Sequence, residues 1–252
     1  MPSESRVVLI TGGGRGIGAA ITCAFHARGD RVVIVSRTDN GLARELGGRA
    51  RHVVTDVTES AQVGAAITRV LDWAGRLDVV VNNVGMSAWR PLASIDDGFW
   101  ADMLAVNLSS VLFTCRAASP HLGRGAAIVN VSSLAGKRGS ANNAAYCAAK
   151  FAVNGLTQAL AKELGPRGIR VNAVCPVYVD TTGLREALAD PEAPPEGRDI
   201  DAYLADFAHR QSALGRLPRV EEVGATCVML ASPDAAAVTG QCVNVDCGVL
   251  PQ

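Results

Sequence analysis

Short β-branched runs alternate along the whole chain with stretches of helical periodicity. Val7 to Thr11 is followed by the alanine-rich Gly16 to Arg28, and the pattern then repeats. Arg31 to Ser36, Arg51 to Val57, Asp78 to Asn82, Ala127 to Ser132, Arg170 to Cys175 and Cys242 to Val245 read as further strands, which makes seven. Ser60 to Ala74, Asp102 to Ala118, Ala144 to Leu164 and Glu221 to Ala231 read as helices. Val32-Val33-Ile34-Val35 and Val79-Val80-Val81 are apolar at every position. Both faces of those strands must therefore be covered, as in a parallel sheet with helices on each side. The pattern predicts an α/β fold, doubly wound, with seven parallel strands.

No repeat or linker divides residues 1–252, so a single domain is expected. One stretch has loop composition: Thr181 to Asp199, with Pro191, Pro194 and Pro195 among acidic residues. It predicts a mobile substrate flap around 181–215. With 48% hydrophobic and 19% charged side chains, disorder is excluded. Lys plus Arg equals Asp plus Glu at 24 each, so no global field attracts nucleic acid or an anionic membrane.

The opening MPSESRVVLI lacks the basic start, apolar stretch and small-residue cleavage site of a secretory leader, and no apolar run stands out as a membrane span. The expectation is a cytoplasmic protein that binds neither nucleic acid nor membrane. Seven cysteines, without C-x-x-C pairs, read as reduced small hydrophobes. His26, His52, His121 and His209 lack ligand spacing, so no metal is expected. Trp89 and Trp100 read as core or interface residues.

Thr11-Gly12-Gly13-Gly14-Arg15-Gly16-Ile17-Gly18 falls where the first strand ends and the first helix begins. Backbone N–H groups and the helix dipole hold a pyrophosphate there, and glycine lets the backbone approach it. At the end of the second strand an acidic side chain favours a ribose diol and a basic one a 2′-phosphate. Ser36-Arg37-Thr38 offers a hydroxyl and a charged fork, with Arg15 positioned to approach from the glycine loop. NADP(H) is favoured over NAD(H), and Asp39 is the residue that argues for NAD(H).

Tyr146 and Lys150 stand at i and i+4 on one helix face, where an ammonium favours the phenolate and lowers a phenol pKa near 10. Ser133, thirteen residues earlier and just past a strand, can reach the same crevice. Together these residues resemble the short-chain dehydrogenase/reductase family over essentially the whole chain. The resemblance rests on Thr11 to Gly18, Asn82-Asn83-Val84-Gly85, Asn107, Ser133, and Tyr146 with Lys150. It rests further on Asp56-Val57, and on Pro176, Val179 and Thr181.

The resemblance implies a Rossmann-like sheet in one dinucleotide-binding and catalytic domain over residues 1–252, with Asn107, Ser133, Tyr146 and Lys150 as catalytic residues. Tyr146 donates a proton to the carbonyl oxygen, Ser133 holds that oxygen, Lys150 binds the nicotinamide ribose and Asn107 positions a water. Cofactor contacts are implied at Gly12, Arg15, Gly16, Ile17, Gly18, Ser36, Arg37, Asp56, Val57, Asn83, Gly85, Tyr146, Lys150, Val179 and Thr181. A homotetramer built on the Asp102 and Ala144 helices is implied, with a dimer as the smaller assembly.

Three positions depart from the family pattern. Val84 replaces Ala, Val177 replaces the Gly after Pro176, and Asp246-Cys247-Gly248 replaces Asp-Gly-Gly. Val177 is expected to narrow the pocket.

Val171 to Pro176 and Ala236-Ala237-Val238-Thr239 resemble ketoreductases of fatty-acid and polyketide synthesis, although Gly85-Met86-Ser87-Ala88 lacks the proline-glycine-glycine of the aromatic polyketide type. The substrate is then a small-molecule ketone or its alcohol, a carrier-bound 3-oxoacyl or polyketide-like compound included. Lys137 and Arg138 offer attraction for an anionic or carrier-bound substrate, against the plain reading of two solvated loop bases. The alternatives are an NAD-dependent alcohol or sugar dehydrogenase and, from another class, a non-catalytic dinucleotide-binding protein.

Overall fold

The computed structural model describes residues 5–251. The first four residues of the N-terminal stretch read above lie outside them. Seven strands form one sheet: β1 Val7–Thr11, β2 Arg31–Ser36, β3 Ala50–Val54, β4 Leu77–Asn82, β5 Leu122–Val131, β6 Arg170–Pro176 and β7 Cys242–Val245. Their spatial order is β3-β2-β1-β4-β5-β6-β7 and every pairing is parallel. The alternation of the pleat explains the all-apolar runs. Val7 and Leu9 pack on one side with Val33, Val35 and Val80, whereas Val8 and Ile10 pack on the other with Val32, Ile34, Val79 and Val81. Burying each such side chain stabilises the fold by roughly 1.5–3 kcal/mol.

Helices α1 Gly16–Ala27 and α9 Val220–Ala231 cover one face. The other is covered by α3 Ser60–Ala74, α5 Ser110–Ala118 and α6 Ala144–Leu164. Between α1 and α3 lies the short α2 Leu42–Leu46. The expected start at Asp102 is late: α4 begins at Asp97, where the Asp96 carboxylate accepts from Phe99 N at 2.7 Å. A π-helical turn, Ala105–Ser109, joins α4 to α5. With a short final turn this makes a continuous helix, Asp97–His121, long and apolar enough to cross a membrane by length and composition. That corrects the expectation that no segment reaches such a length. In this fold the helix packs against α3 and α6, and Met103, Asn107, Val111 and Cys115 are buried.

The strand ends also differ from the expected ones. β3 stops at Val54, before Val57, and β5 starts at Leu122, where it pairs with Leu77 ahead of an irregularity in the register. The 181–215 region is mostly helical. Thr181 caps α7 Thr182–Leu188 and Asp199 caps α8 Ile200–Gln211. Leu188, Ala193 and Leu204 close with Trp89 into a small separate core. The proline-rich stretch is thus a folded lobe rather than a bare loop.

Candidate active site

The order reversal that matters lies at β1, whose neighbours are β2 on one side and β4 on the other. At such a switch point the loops diverge and leave a crevice beyond the strand carboxyl ends. The glycine segment occupies that edge. Gly12 and Gly16 have φ of +63° and +52°, conformations that side chains other than glycine resist. A Cβ on Gly18 would lie 2.1 Å from the Gly12 carbonyl oxygen, so the tight turn requires glycine there.

Thr22 Oγ1 donates to Gly13 O at 2.8 Å, and Asn40 Nδ2 donates to Gly14 O. Asn40, which pattern reading missed, thereby closes the loop from the β2 side. Thr11 Oγ1 accepts from Asn83 N and Val84 N, while Asn83 Nδ2 donates to Thr11 O and Gly12 O. The Asn83 amide is therefore engaged in bracing the glycine loop.

Arg15 holds the N-cap position of α1 without a side-chain cap, and no acidic residue lies in the first turn. The first N–H groups of α1 have no side-chain partner and stand at the positive end of the helix dipole, an arrangement suited to an anion. Arg15 and Arg37 are exposed nearby. Asp56, implied as a cofactor contact by the resemblance, follows β3; hydrogen bonds from Thr58 hold its carboxyl below the usual range. Val57 is buried, as is Val179, and Thr181 Cγ2 would lie 3.4 Å from a Cβ on Gly16. The uncapped start of α1, the positive-φ glycines and the exposed Arg15 and Arg37 fit a dinucleotide.

The other half of the crevice is organised by α6. Ser133 follows β5 and caps a short turn, its Oγ accepting from Ala135 N at 3.1 Å. That turn is locked onto α6. A Cβ on Gly136 would lie 2.7 Å from Lys150 O, Asn154 Nδ2 donates to Gly136 O at 2.8 Å, and Ser132 Oγ donates to Lys150 O at 3.3 Å. Gly136 and Asn154 were not singled out from sequence; the close approach that requires them is a tertiary fact. The lock sets Ser133 against Tyr146, whose phenol it hydrogen-bonds.

Lys150 is 3% exposed; its Nζ donates to Val131 O at 3.0 Å and stands 5.6 Å from the Tyr146 ring centre. Asn107 is fully buried in the π turn, donating to Met103 O at 3.0 Å and accepting from Met86 N at 3.1 Å. Gly85 sits between them: a Cβ there would be 3.1 Å from Asn107 Oδ1 and 3.3 Å from Lys150 Nζ. The π turn, a feature that often marks functional sites, aims Asn107 at this point.

The electrostatics differ from the simple expectation that the ammonium lowers the phenol pKa. Burial pushes Tyr146 up to about 12, against which the Ser133 hydrogen bond acts, and burial pulls Lys150 down to about 8. Dehydration outweighs the lysine because Nζ faces the Val131 carbonyl and the ring rather than the phenol oxygen. Tyr146 is consequently a protonated acid at neutral pH.

Val177 packs on Leu134, Cys175 and Val249, and its N–H continues the ladder to Val245 O at 3.4 Å. Trp89 is buried against the lobe, whereas Trp100 is 41% exposed. Lys137 and Arg138 are half-buried; Arg138 acts electrostatically on Tyr178.

Residues 12–250 match the family model described as Enoyl-(Acyl carrier protein) reductase. The chain is 38% identical over 254 residues to the short-chain reductase protein NovJ of Streptomyces niveus, covering 98% of this chain and 94% of that one. Among solved structures it is similar to the ligand-free aldohexose dehydrogenase of Thermoplasma acidophilum, with TM-score 0.88, 31% identity and coverage of 99% and 98%. It is also similar to a variant of the actinorhodin polyketide ketoreductase with NADPH, with TM-score 0.87, 33% identity and coverage of 97% of both chains. The glycine crevice, the locked Ser133 turn and these likenesses establish that the chain belongs to the short-chain dehydrogenase/reductase family, of the ketoreductase type.

Proposed function

We propose that the protein is an NADPH-dependent carbonyl reductase that converts a ketone, carrier-bound 3-oxoacyl or polyketide-like compounds included, to a secondary alcohol. The observation that carries this reading is the convergence of Ser133, Tyr146, Lys150 and Asn107 on one end of the glycine crevice, with two arginines at the other. Gly12 to Gly18, Arg37, Asp56, Gly85 and Lys150 would hold the dinucleotide, which supplies hydride to the carbonyl carbon. The Ser133 hydroxyl donates to the carbonyl oxygen and fixes its direction. Tyr146, protonated at neutral pH, delivers its proton to that oxygen as negative charge develops. Lys150 orients the ring and binds the ribose hydroxyls; Asn107 holds the backbone at Met86 and a water for proton resupply.

The polyketide ketoreductase with NADPH supports the cofactor and substrate class. Asp39 and the likeness to an aldohexose dehydrogenase favour the second reading, an NAD-dependent alcohol or sugar dehydrogenase. The apolar Trp100, Leu112 and Phe151, each at least 40% exposed on α4, α5 and α6, support assembly of copies through these helices into a tetramer, which light scattering would count.

Oxidation of NADPH and NADH against ketone, thioester and sugar panels distinguishes the readings. Reduction by NADPH is expected, and turnover of sugars with NAD alone would overturn it. Tyr146→Phe should lose at least about a hundredfold in kcat, the scale of general acid catalysis, while still binding NADPH. Unchanged turnover would remove Tyr146 from the proton-donor role. Arg37→Ala should weaken NADPH much more than NADH.

A further inference from the structure

Tyr146 and Lys150 begin a longer series on α6. Asn154 stands at the next i+4 position, so a phenol, an ammonium and an amide follow one another along one side of the helix. All three address the end of β5 and the turn after it. The Tyr146 phenol hydrogen-bonds Ser133, Lys150 Nζ donates to Val131 O at 3.0 Å, and Asn154 Nδ2 donates to Gly136 O at 2.8 Å. A carbonyl only accepts, so the Gly136 contact decides which end of the Asn154 amide points at the turn. The Oδ1 end meets the Cys175 sulfur at 3.8 Å.

The turn that Asn154 grips is Leu134–Gly136, three residues long and capped by Ser133. Ser133 O accepts from Gly136 N at 2.9 Å, and Ser133 Oγ accepts from Ala135 N at 3.1 Å. The second bond occupies the hydroxyl oxygen as an acceptor and leaves its proton for the crevice. Where Ala135 and Gly136 lie therefore sets where that proton points. Upstream, Ser132 Oγ donates to Lys150 O at 3.3 Å; downstream, the Asn154 amide supplies the hydrogen bond that draws the turn onto α6.

We propose that Asn154 is a positioning residue for proton transfer: by holding Gly136 O it fixes the turn against α6 and keeps the Ser133 hydroxyl aimed at the oxygen that Tyr146 protonates. The proposal rests on the reductase reading above. Without the amide, the buried Gly136 carbonyl loses its partner and the turn relaxes away from the helix, carrying the Ser133 hydroxyl with it. A displacement on the order of 1 Å at such a donor costs up to about a hundredfold in rate.

The test is a double-mutant cycle on steady-state ketone reduction with NADPH, comparing the wild type, Asn154→Leu, Ser133→Ala and the two combined. Leucine branches at the same carbon as asparagine and has no hydrogen-bonding group. Asn154→Leu should lower kcat about tenfold, with KM and the NADPH dissociation constant, the latter from fluorescence titration, each within about twofold of wild type. In the Ser133→Ala background the same substitution should cost almost nothing, because the hydroxyl it positions is gone.

Equal losses in the two backgrounds, an unchanged kcat, or a loss that appears in NADPH affinity instead would each overturn the proposal. If circular dichroism shows that Asn154→Leu does not fold, Asn154→Ala carries the same cycle with the same outcomes. A wild type that oxidises an alcohol or sugar with NAD alone overturns the reductase reading and leaves the cycle to be run in that direction, where Ser133 and Tyr146 meet the same oxygen. A wild type inactive in both directions overturns the catalytic reading and this role with it.

Discussion

Lys150 combines its proposed chemical role with an energetic cost. Its ammonium is 3% exposed and hydrogen-bonded to one backbone carbonyl, and dehydration lowers its pKa from 10.5 to about 8. Below pH 8 both folded and unfolded chains are protonated and the penalty is present in full. Between pH 8 and 10.5 the unfolded chain holds a proton that the folded chain has lost, so this group's contribution to stability rises with pH, by about 3 kcal/mol in all. Lys150→Met should therefore be more stable than wild type by about 2 kcal/mol at pH 7, part of the gain being offset by the unpaired Val131 carbonyl, while turnover is lost. Urea melts at pH 7 and 10 check the sign: the advantage should shrink at the higher pH, and a less stable variant at pH 7 would contradict the argument.

Cys247 is a second residue-scale cost. It occupies φ +54° at a position where the family pattern has glycine, and its carbonyl accepts from Ser212 Oγ at 2.9 Å and Leu214 N at 3.1 Å. Those contacts are made by the backbone, so glycine preserves them and removes the steric cost of the left-handed region. Cys247→Gly should stabilise by about 1 kcal/mol in denaturant melts, since the released strain exceeds the extra entropy of an unfolded glycine. The family pattern marks this position as a departure, but only the backbone angle shows that the departure is strained.

At the scale of elements, the strands were legible because burial on both faces leaves no polar position to obscure a run such as Val79-Val80-Val81. The α7 and α8 lobe was not, because its apolar positions serve a small local core and α8 buries only Leu204 and Ala208. Thr181 and Asp199, capping residues ahead of both helices, were the available signals. Of the site, Ser133, Tyr146 and Lys150 were readable from spacing. Gly136 and Asn154 act across elements far apart in sequence, where no local pattern reaches.

The lobe is held to the catalytic side by Arg90. Its Nη1 pairs with Asp190 at 2.9 Å, and its backbone N donates to Asn142 O at 2.6 Å, four residues ahead of Tyr146. Arg90→Ala removes the first link and leaves the second. Hydrogen exchange in residues 182–199 should speed up severalfold, with KM rising more than kcat falls, because the substrate side loosens while the Ser133 lock on α6 is untouched. A change confined to kcat would place Arg90 in the chemistry instead.

At the scale of the molecule, the proposed cofactor crevice draws on segments that meet only when the sheet is complete: Gly12 to Gly18 after β1, Ser36 and Arg37 at the end of β2, Asn83 and Gly85 after β4, and Thr181 after β6. An unfolded chain offers none of this arrangement, so ligand binding is linked to global unfolding. At a hundred times its dissociation constant a ligand adds about 2.7 kcal/mol, which for a chain of this size raises Tm by about 5–10 °C in a single transition. NADPH should produce that shift. NADH at the same concentration should produce well under half of it, because a ligand near its dissociation constant adds only about 0.4 kcal/mol. In Arg37→Ala the NADPH shift should fall to the NADH level with the unliganded Tm unchanged, since Arg37 is exposed. Equal shifts for the two cofactors in the wild type would mean that the β2 end reads the ribose diol. A second, unshifted transition would mean that part of the chain unfolds independently of the crevice.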